Sequence, residues 1–503
     1  MKPTQLLLSL ALLGGLAVAQ QASTAPDMSQ PPAVAPFKAY APPAAHRDQL
    51  PNGLRIVVVE DHRFPLVTVQ LALRAGSSRM TPETAGLASA EADLLTKGTP
   101  TRNALQIAQA ADALGGAVGA GVDPDFLTIY ANGLSDRVPA LFELLADVTL
   151  HPTFPESEVN LERANMLQGL RASRANPGFL ASVQFYKLLF GKNPYAITAP
   201  TEASIAGITR DALQQFHQNY FLPNNQGLIV ITGDISEARA HNLAEQYFGT
   251  DAWKFGRPTP PPSPPVTDPG TRRIYLVERP GSAQSTILLG GLGLTRTAPD
   301  YFSFRVANQV LGGGFTSRLN SDLREEKGYT YGISSGNTAY RELGAWTVST
   351  DVRTAVTAPA LKEILSQMDQ MRTAPPSTQE MSGAKNYING NFVLGLETQG
   401  QVAGAMMTQG LYGLPPDWLA GYAHNVSSVT GDEALAAAQA VVKPDHTLVV
   451  VVGDVKQIEA GLVNLAPGTM MTIFNDRGEV IGSYPPEKPA GGKPVTVHPQ
   501  PRP

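Results

Sequence analysis

The sequence predicts an α+β protein of two homologous halves, each an antiparallel β-sheet packed with α-helices, joined by a Pro-rich linker. Three observations carry that prediction. Seven prolines fall within residues 256–270, and such a run is neither helix nor central strand but a stiff extended connector. On either side of it the chain repeats itself. The first half runs Phe221-Leu-Pro-Asn-Asn-Gln-Gly-Leu-Ile-Val-Ile-Thr-Gly233-Asp234, and the second runs Val442-Lys-Pro-Asp-His-Thr-Leu-Val-Val-Val-Val-Gly453-Asp454. Each is a Pro turn, a β-branched apolar strand, then Gly-Asp. Within each half, strand-like runs come first and helical stretches follow, without strict alternation.

Residues 1–19 read as a secretory signal peptide. Lys2 is followed by an apolar stretch from Leu6 to Leu16 and by Ala17-Val18-Ala19, a small-x-small cleavage site. The stretch is shorter than the ~20 residues a membrane span requires. No cysteine follows to carry a lipid anchor. The mature chain is thus expected to be exported, periplasmic or extracellular, with no transmembrane segment. Residues 20–45, rich in Ala, Pro, Ser and Gln, read as a flexible arm.

The first half spans 46–255. Leu54 to Glu60 and Leu66 to Leu73 read as strands, joined over Asp61–Pro65 by a connection of hairpin length. Helices are expected over 84–95, 104–114, 138–149 and 157–173. After the linker (256–272), the second half (273–460) repeats the strand pair over 274–277 and 285–289, with helices over 301–311, 359–371 and 378–391. Residues 461–503 hold an appended hairpin around Asn475-Asp476-Arg477-Gly478 and a Pro-rich tail.

Composition excludes several functions. The 503 residues are 43% hydrophobic and carry a net charge of -5. A dedicated nucleic-acid binder needs a basic face. There is no cysteine, hence no disulfide, thiolate zinc site, iron–sulfur cluster or thiol nucleophile. No two of the eight histidines lie three to five residues apart, so no local zinc pair exists. His241 and Glu245 share a helix face that reads as solvated. No nucleophile elbow or phosphate loop is present, and Gly312-Gly313-Gly314 lacks the Lys-Ser/Thr of the latter.

Several motifs occur together. Pro51-Asn52-Gly53-Leu54-Arg55-Ile56-Val57-Val58 is followed by Ala75-Gly76-Ser77, Gly86-Leu87-Ala88 and Leu95-x-Lys97-Gly98-Thr99. The second half has Leu311-Gly-Gly-Gly-Phe-Thr-Ser-Arg-Leu319, Leu323-Arg324-Glu325 and Gly328-Tyr329-Thr330-Tyr331. In order and spacing, about residues 45 to 460 resemble the insulinase-like metallopeptidases, the family of pitrilysin and the mitochondrial processing peptidase. The resemblance implies the same duplicated α+β architecture.

It also locates a departure. Active members carry His-x-x-Glu-His after Gly-Leu-Ala, two zinc ligands and a base that activates water. The matching positions here are Ser89, Ala92 and Asp93. Glu91 is one step from the base position, which on a helix turns it about 100° away. The third ligand, a Glu on a later helix, is matched by Gly169, with Gln168 beside it. The resemblance therefore implies no metal and no cofactor in this chain. The second half keeps the family's Arg and Tyr, here Arg324 and Tyr331, which in active members hold the substrate backbone and polarise the scissile carbonyl. Either residue alone reads as part of the fold, an Arg capping carbonyls or a half-buried Tyr, but the pair at this spacing favours function.

The resemblance extends to bacterial heterodimers in which one subunit carries zinc and the other only the Arg/Tyr pair. The implied function is a subunit of an exported peptidase that is inactive alone. It would pair, as a heterodimer or higher assembly, with a homologous subunit bearing the zinc, and its substrate would be an extended peptide. The alternative is a non-catalytic peptide-binding or scaffold protein of the same fold.

Overall fold

The β-branched runs do form strands, but sequence neighbours do not pair. The computed structural model describes residues 41–466 and 470–485. The signal peptide, most of the arm at 20–45 and the tail from 486 lie outside the described residues. The first sheet comprises β1 (His46–Gln49), β2 (Arg55–Glu60), β3 (Leu66–Leu73), β4 (Ala117–Val122), β5 (Leu127–Leu134) and β6 (Leu228–Gly233), in the order β1-β2-β6-β3-β5-β4. The second comprises β7 (Arg273–Glu278), β8 (Gln284–Leu292), β9 (Thr330–Ala339), β10 (Gly344–Arg353), β11 (Leu448–Gly453), β12 (Met471–Phe474) and β13 (Val480–Tyr484), in the order β13-β12-β7-β11-β8-β10-β9.

The shared pattern is plain: β2-β6-β3-β5-β4 matches β7-β11-β8-β10-β9. The two halves are α+β and homologous. The expected hairpins of β2 with β3 and of β7 with β8 do not form. In each, the last strand of the half inserts between the two. The reason lies in its composition. Every residue of β6 (LIVITG) and of β11 (LVVVVG) is buried, so each needs a neighbour on both edges and cover on both faces. The insertion also makes the sheets mixed, mainly antiparallel, with β6 parallel to β2 and β11 parallel to β7. The hairpin of β12 and β13 is built into the sheet, because β12 runs parallel to β7.

Both faces of β6 and β11 are covered by an exchange of helices. Ile229 and Ile231 of β6 face the first half's own helices, whereas Leu228 and Val230 meet Val402, Met406 and Leu411 from the second half. Conversely, Leu448, Val450 and Val452 of β11 meet Leu180, Phe185 and Leu189 from the first half. The donors are the helices Pro177–Phe190 and Gln399–Leu411. The alternation of the two targets along each strand is the period of two.

The halves are fastened where two equivalent turns meet. Asp125, in the turn between β4 and β5, is 1% exposed. Its carboxylate accepts from the Tyr195 hydroxyl, from the backbone N–H of Arg341 at 2.9 Å and from the Tyr412 hydroxyl at 3.2 Å. Arg341 lies in the turn between β9 and β10. Burial first, and then the Asp125 charge, push the pKa of both phenols up, so both stay protonated donors. Glu342, beside Arg341, pairs with Arg74 of the first half and accepts from Ser263 of the linker at 3.2 Å. The linker is further pinned by Asn193 to Pro264 O at 2.8 Å and by the Tyr220 hydroxyl to Thr259 O at 3.0 Å.

Asp125→Ala leaves one buried and two half-buried donors without their acceptor. It is expected to cost about 3 kcal/mol or more, against about 1 kcal/mol for Tyr412→Phe, which removes one donor only. Urea unfolding of the two variants measures the ratio; equal costs would show that Asp125 does not hold the junction.

Candidate functional site

Two sets of residues were singled out by sequence, and they occupy different halves. Ser89, Ala92 and Asp93 lie on the helix Leu87–Leu94, which starts from Gly86 in the left-handed region at φ 94°. Gly169 lies on the helix Glu156–Arg174, which packs against it. Ser89 is half-buried, Ala92 is buried and Asp93 is exposed. A Cβ built on Gly169 meets no heavy atom within 4 Å, so nothing steric excludes a longer side chain there.

The donor set does not fit zinc. A catalytic zinc takes three protein ligands from His, Cys, Asp or Glu. Ala92 and Gly169 offer no donor and Ser89 only a hydroxyl. Among the described residues, no three His, Cys, Asp or Glu side chains converge as a metal site would need. Asp93 is instead coupled to Glu162. Although Asp93 is open to solvent at its tip, partial desolvation by its neighbours raises its carboxyl and Lys97 partly offsets this; desolvation and the Asp93 charge raise Glu162.

Glu91 points into the core. It is fully buried, with Oε1 2.8 Å from His217 Nδ1 and Oε2 without a partner. His217 is stacked on Phe221 with 4.1 Å between ring centroids. Burial pushes Glu91 well up and pushes His217 down to about 3. An ionised carboxylate with one bare buried oxygen is costly, so the pair is neutral, with Glu91 protonated and donating to His217 Nδ1.

Arg324 and Tyr331 are brought together. A short helical turn, Arg318–Asn320, runs into a π-helical turn, Ser321–Glu326, which carries Arg324. Gly328, at φ +60°, reverses the chain into β9 and Tyr331. The Arg324 guanidinium sits 5.5 Å from the Tyr331 ring centroid and 4.9 Å from that of Phe315. Tyr331 is 91% exposed and Phe315 73%. The result is a cation held between two exposed rings at the edge of the second sheet.

Three anchors fix this corner. Buried Asn320 donates to Ile333 O of β9 at 2.7 Å and to Gly314 O at 3.1 Å. Arg318 forms a two-point pair with Glu380 at 2.7 and 3.0 Å, holding that carboxyl down to about 2. Lys327 pairs with Asp322, and with Glu363 at 3.1 Å. Among the described residues, no hydrogen bond or ion pair joins this corner to Ser89, Ala92, Asp93 or Gly169. Sequence reasoning missed Phe315 and Asn320. Both lie between the glycines and Arg324, where an exposed aromatic was the available signal.

The neutral buried pair gives a signed pH dependence. Above the ordinary carboxylate value of 4.5 the unfolded chain releases the Glu91 proton that the folded chain keeps, so stability falls as pH rises. His217 acts oppositely: stability is lost as pH falls from 6.5 towards about 3. Unfolding free energies at pH 4, 6 and 8 are expected to move in favour of Glu91→Gln over the parent, by on the order of 1.4 kcal/mol per unit while the folded carboxyl stays protonated. A difference independent of pH would mean that Glu91 ionises within the fold.

The family model "Insulinase (Peptidase family M16)" matches residues 55–197, and "Peptidase M16 inactive domain" matches 207–388. An uncharacterized zinc protease of Streptomyces coelicolor is 27% identical over 428 residues, 82% of this chain and 90% of that protein. One from Bacillus subtilis is 27% identical over 69% of this chain and 83% of its own length. Among solved structures, a peptidase M16 inactive domain from Pseudomonas fluorescens aligns with a TM-score of 0.76 at 28% identity, covering 81% of this chain and 98% of that one. A Helicobacter pylori protease aligns with a TM-score of 0.76 at 20% identity, over 82% and 100%, which speaks for the fold. Family models on both sides of the linker, a solved relative along most of the chain and the repeated strand order lead to one assignment: this chain belongs to the insulinase-like (M16) peptidase family, its second half matching that family's inactive domain.

Proposed function

We propose that this chain is the non-zinc subunit of an exported two-subunit peptidase, with Arg324 and Tyr331 acting on a peptide in the active site of a zinc-bearing homologue. The observation that carries the reading is the Phe315–Arg324–Tyr331 corner. A permanently charged guanidinium lies beside the two rings, with Glu325 Oε1 3.4 Å from its Nε, on a corner braced by Asn320 and Arg318, while Tyr331 turns 91% of its surface outwards. No other large apolar side chain among the described residues is as exposed. Among the described residues, no hydrogen bond or ion pair joins Phe315, Arg324 or Tyr331 to the first half, which favours action on another chain.

In that role Arg324 binds the peptide's carbonyls through its fork of donors, and the Tyr331 hydroxyl donates to the oxygen that gains charge as the carbonyl is attacked. The zinc and the base that activates water belong to the partner. Export would follow from the 1–19 leader. Among the described residues, no helix is long and apolar enough to cross a membrane.

Tyr331→Phe removes one donor and leaves the ring beside Arg324. Reconstituted with the zinc-bearing homologue, it is expected to assemble normally and to lose at least about tenfold in turnover, towards the 10²–10³ typical of one lost oxyanion donor. Full turnover would move the chain to the scaffold reading. Metal analysis of the chain alone, after demetallation and zinc repletion, is expected to find no stoichiometric zinc; one tightly held ion per chain would overturn the assignment of zinc to the partner.

A further inference from the structure

A cavity of about 300 Å³ lies between the helices Glu156–Arg174 and Pro177–Phe190 and under the turn joining β12 to β13. Its body is apolar, walled by Leu170, Phe179, Val183 and Ile197. Its polar groups are unevenly charged: Arg174, Lys187 and Arg477 line it against the single carboxylate of Asp476. Arg174 is already bound to Glu202 at 2.7 Å, but Lys187 and Arg477 form no ion pair among the described residues. Gln184 is 3% exposed and lines the same space. No hydrogen bond joins its amide to the described residues, so the amide is open to the cavity. The turn itself leaves room for that amide: a Cβ on Gly478, at φ +74°, would come within 3.1 Å of Gln184 Oε1.

We propose that this cavity binds a small apolar carboxylate, with its hydrocarbon body against Leu170, Phe179 and Val183, its anionic group at Lys187 and Arg477, and its remaining polar atoms at the Gln184 amide. Pockets of this size, mostly apolar with a few convergent polar groups, suit small ligands. Two sources share this chemistry: the C-terminal apolar residue of a peptide, and a free medium-chain carboxylate. The site uses none of the residues of the Arg324–Tyr331 corner and stands whether or not that corner acts in catalysis.

The test is calorimetric titration of the full chain with three probes: N-acetyl-Ala-Ala-Leu with a free carboxylate, the same peptide as its C-terminal amide, and octanoate. Two variants accompany it. The exposed pair Lys187→Ala/Arg477→Ala removes the cations without touching the core, and Val183→Trp fills the cavity. Binding of the peptide acid, at least about tenfold weaker for the amide and for the cation variant, supports the site with a peptide terminus as its ligand. Binding of octanoate with the same sensitivity supports it with a free acid as its ligand. Absence of saturable binding by either acid up to about 10 mM overturns the proposal. Binding that survives the cation variant unchanged overturns it too, and that variant needs no core change to fold.

Discussion

The whole arrangement rests on one buried carboxylate. Asp125 sits where the β4–β5 turn meets the β9–β10 turn, and its oxygens are shared by Tyr195, Tyr412 and the backbone of Arg341. A buried anion is tolerated only when its lone pairs are filled, and here the partners come from both halves. The halves can therefore adopt only the relative position that satisfies this group. The stacked pair Tyr195–Tyr340, with centroids 4.9 Å apart, seals it from water. Each edge strand, β4 and β9, ends at this junction, so the faces on which the two sets of site residues stand are oriented by it.

Much of the fold was legible in the sequence because the repeat was written in its most buried segments. Leu228–Gly233 and Leu448–Gly453 are apolar at every position save Thr232 and the closing glycines, since both faces and both edges are covered. The same fact defeated the hairpin reading. Local order says that β2 pairs with β3, and only the burial of β6 on all sides forces it between them. β4, the sequence AVGAGV, carries almost no β-branched signal, yet it pairs with β5 along its whole length. The exchanged helices were invisible for a related reason. Their apolar faces show that they pack, but nothing in a helical period names the sheet they pack against.

The site was legible in a different sense. The absence of a His-x-x-Glu-His motif can be read residue by residue, and Ser89, Ala92, Asp93 and Gly169 lie on two packed helices. What took the place of the lost chemistry could not be read. Glu91 is an ordinary charged residue in sequence and a neutral, fully buried one in the fold, because its partner His217 lies 126 positions away. The Arg324 corner likewise depends on Asn320 reaching Ile333 across a turn, a contact of packing rather than of spacing.

The reciprocal placement of the helices Pro177–Phe190 and Gln399–Leu411 has a genealogical meaning. Each half offers a sheet face and a helix in corresponding places, so two copies of one ancestral half would cover one another about a twofold axis, the self-complementary contact of a symmetric dimer. The present chain is the covalent form of such a dimer, its two copies joined through the proline run. Joining released them from symmetry. Once the copies were encoded separately, each could change its side chains without imposing the change on its twin.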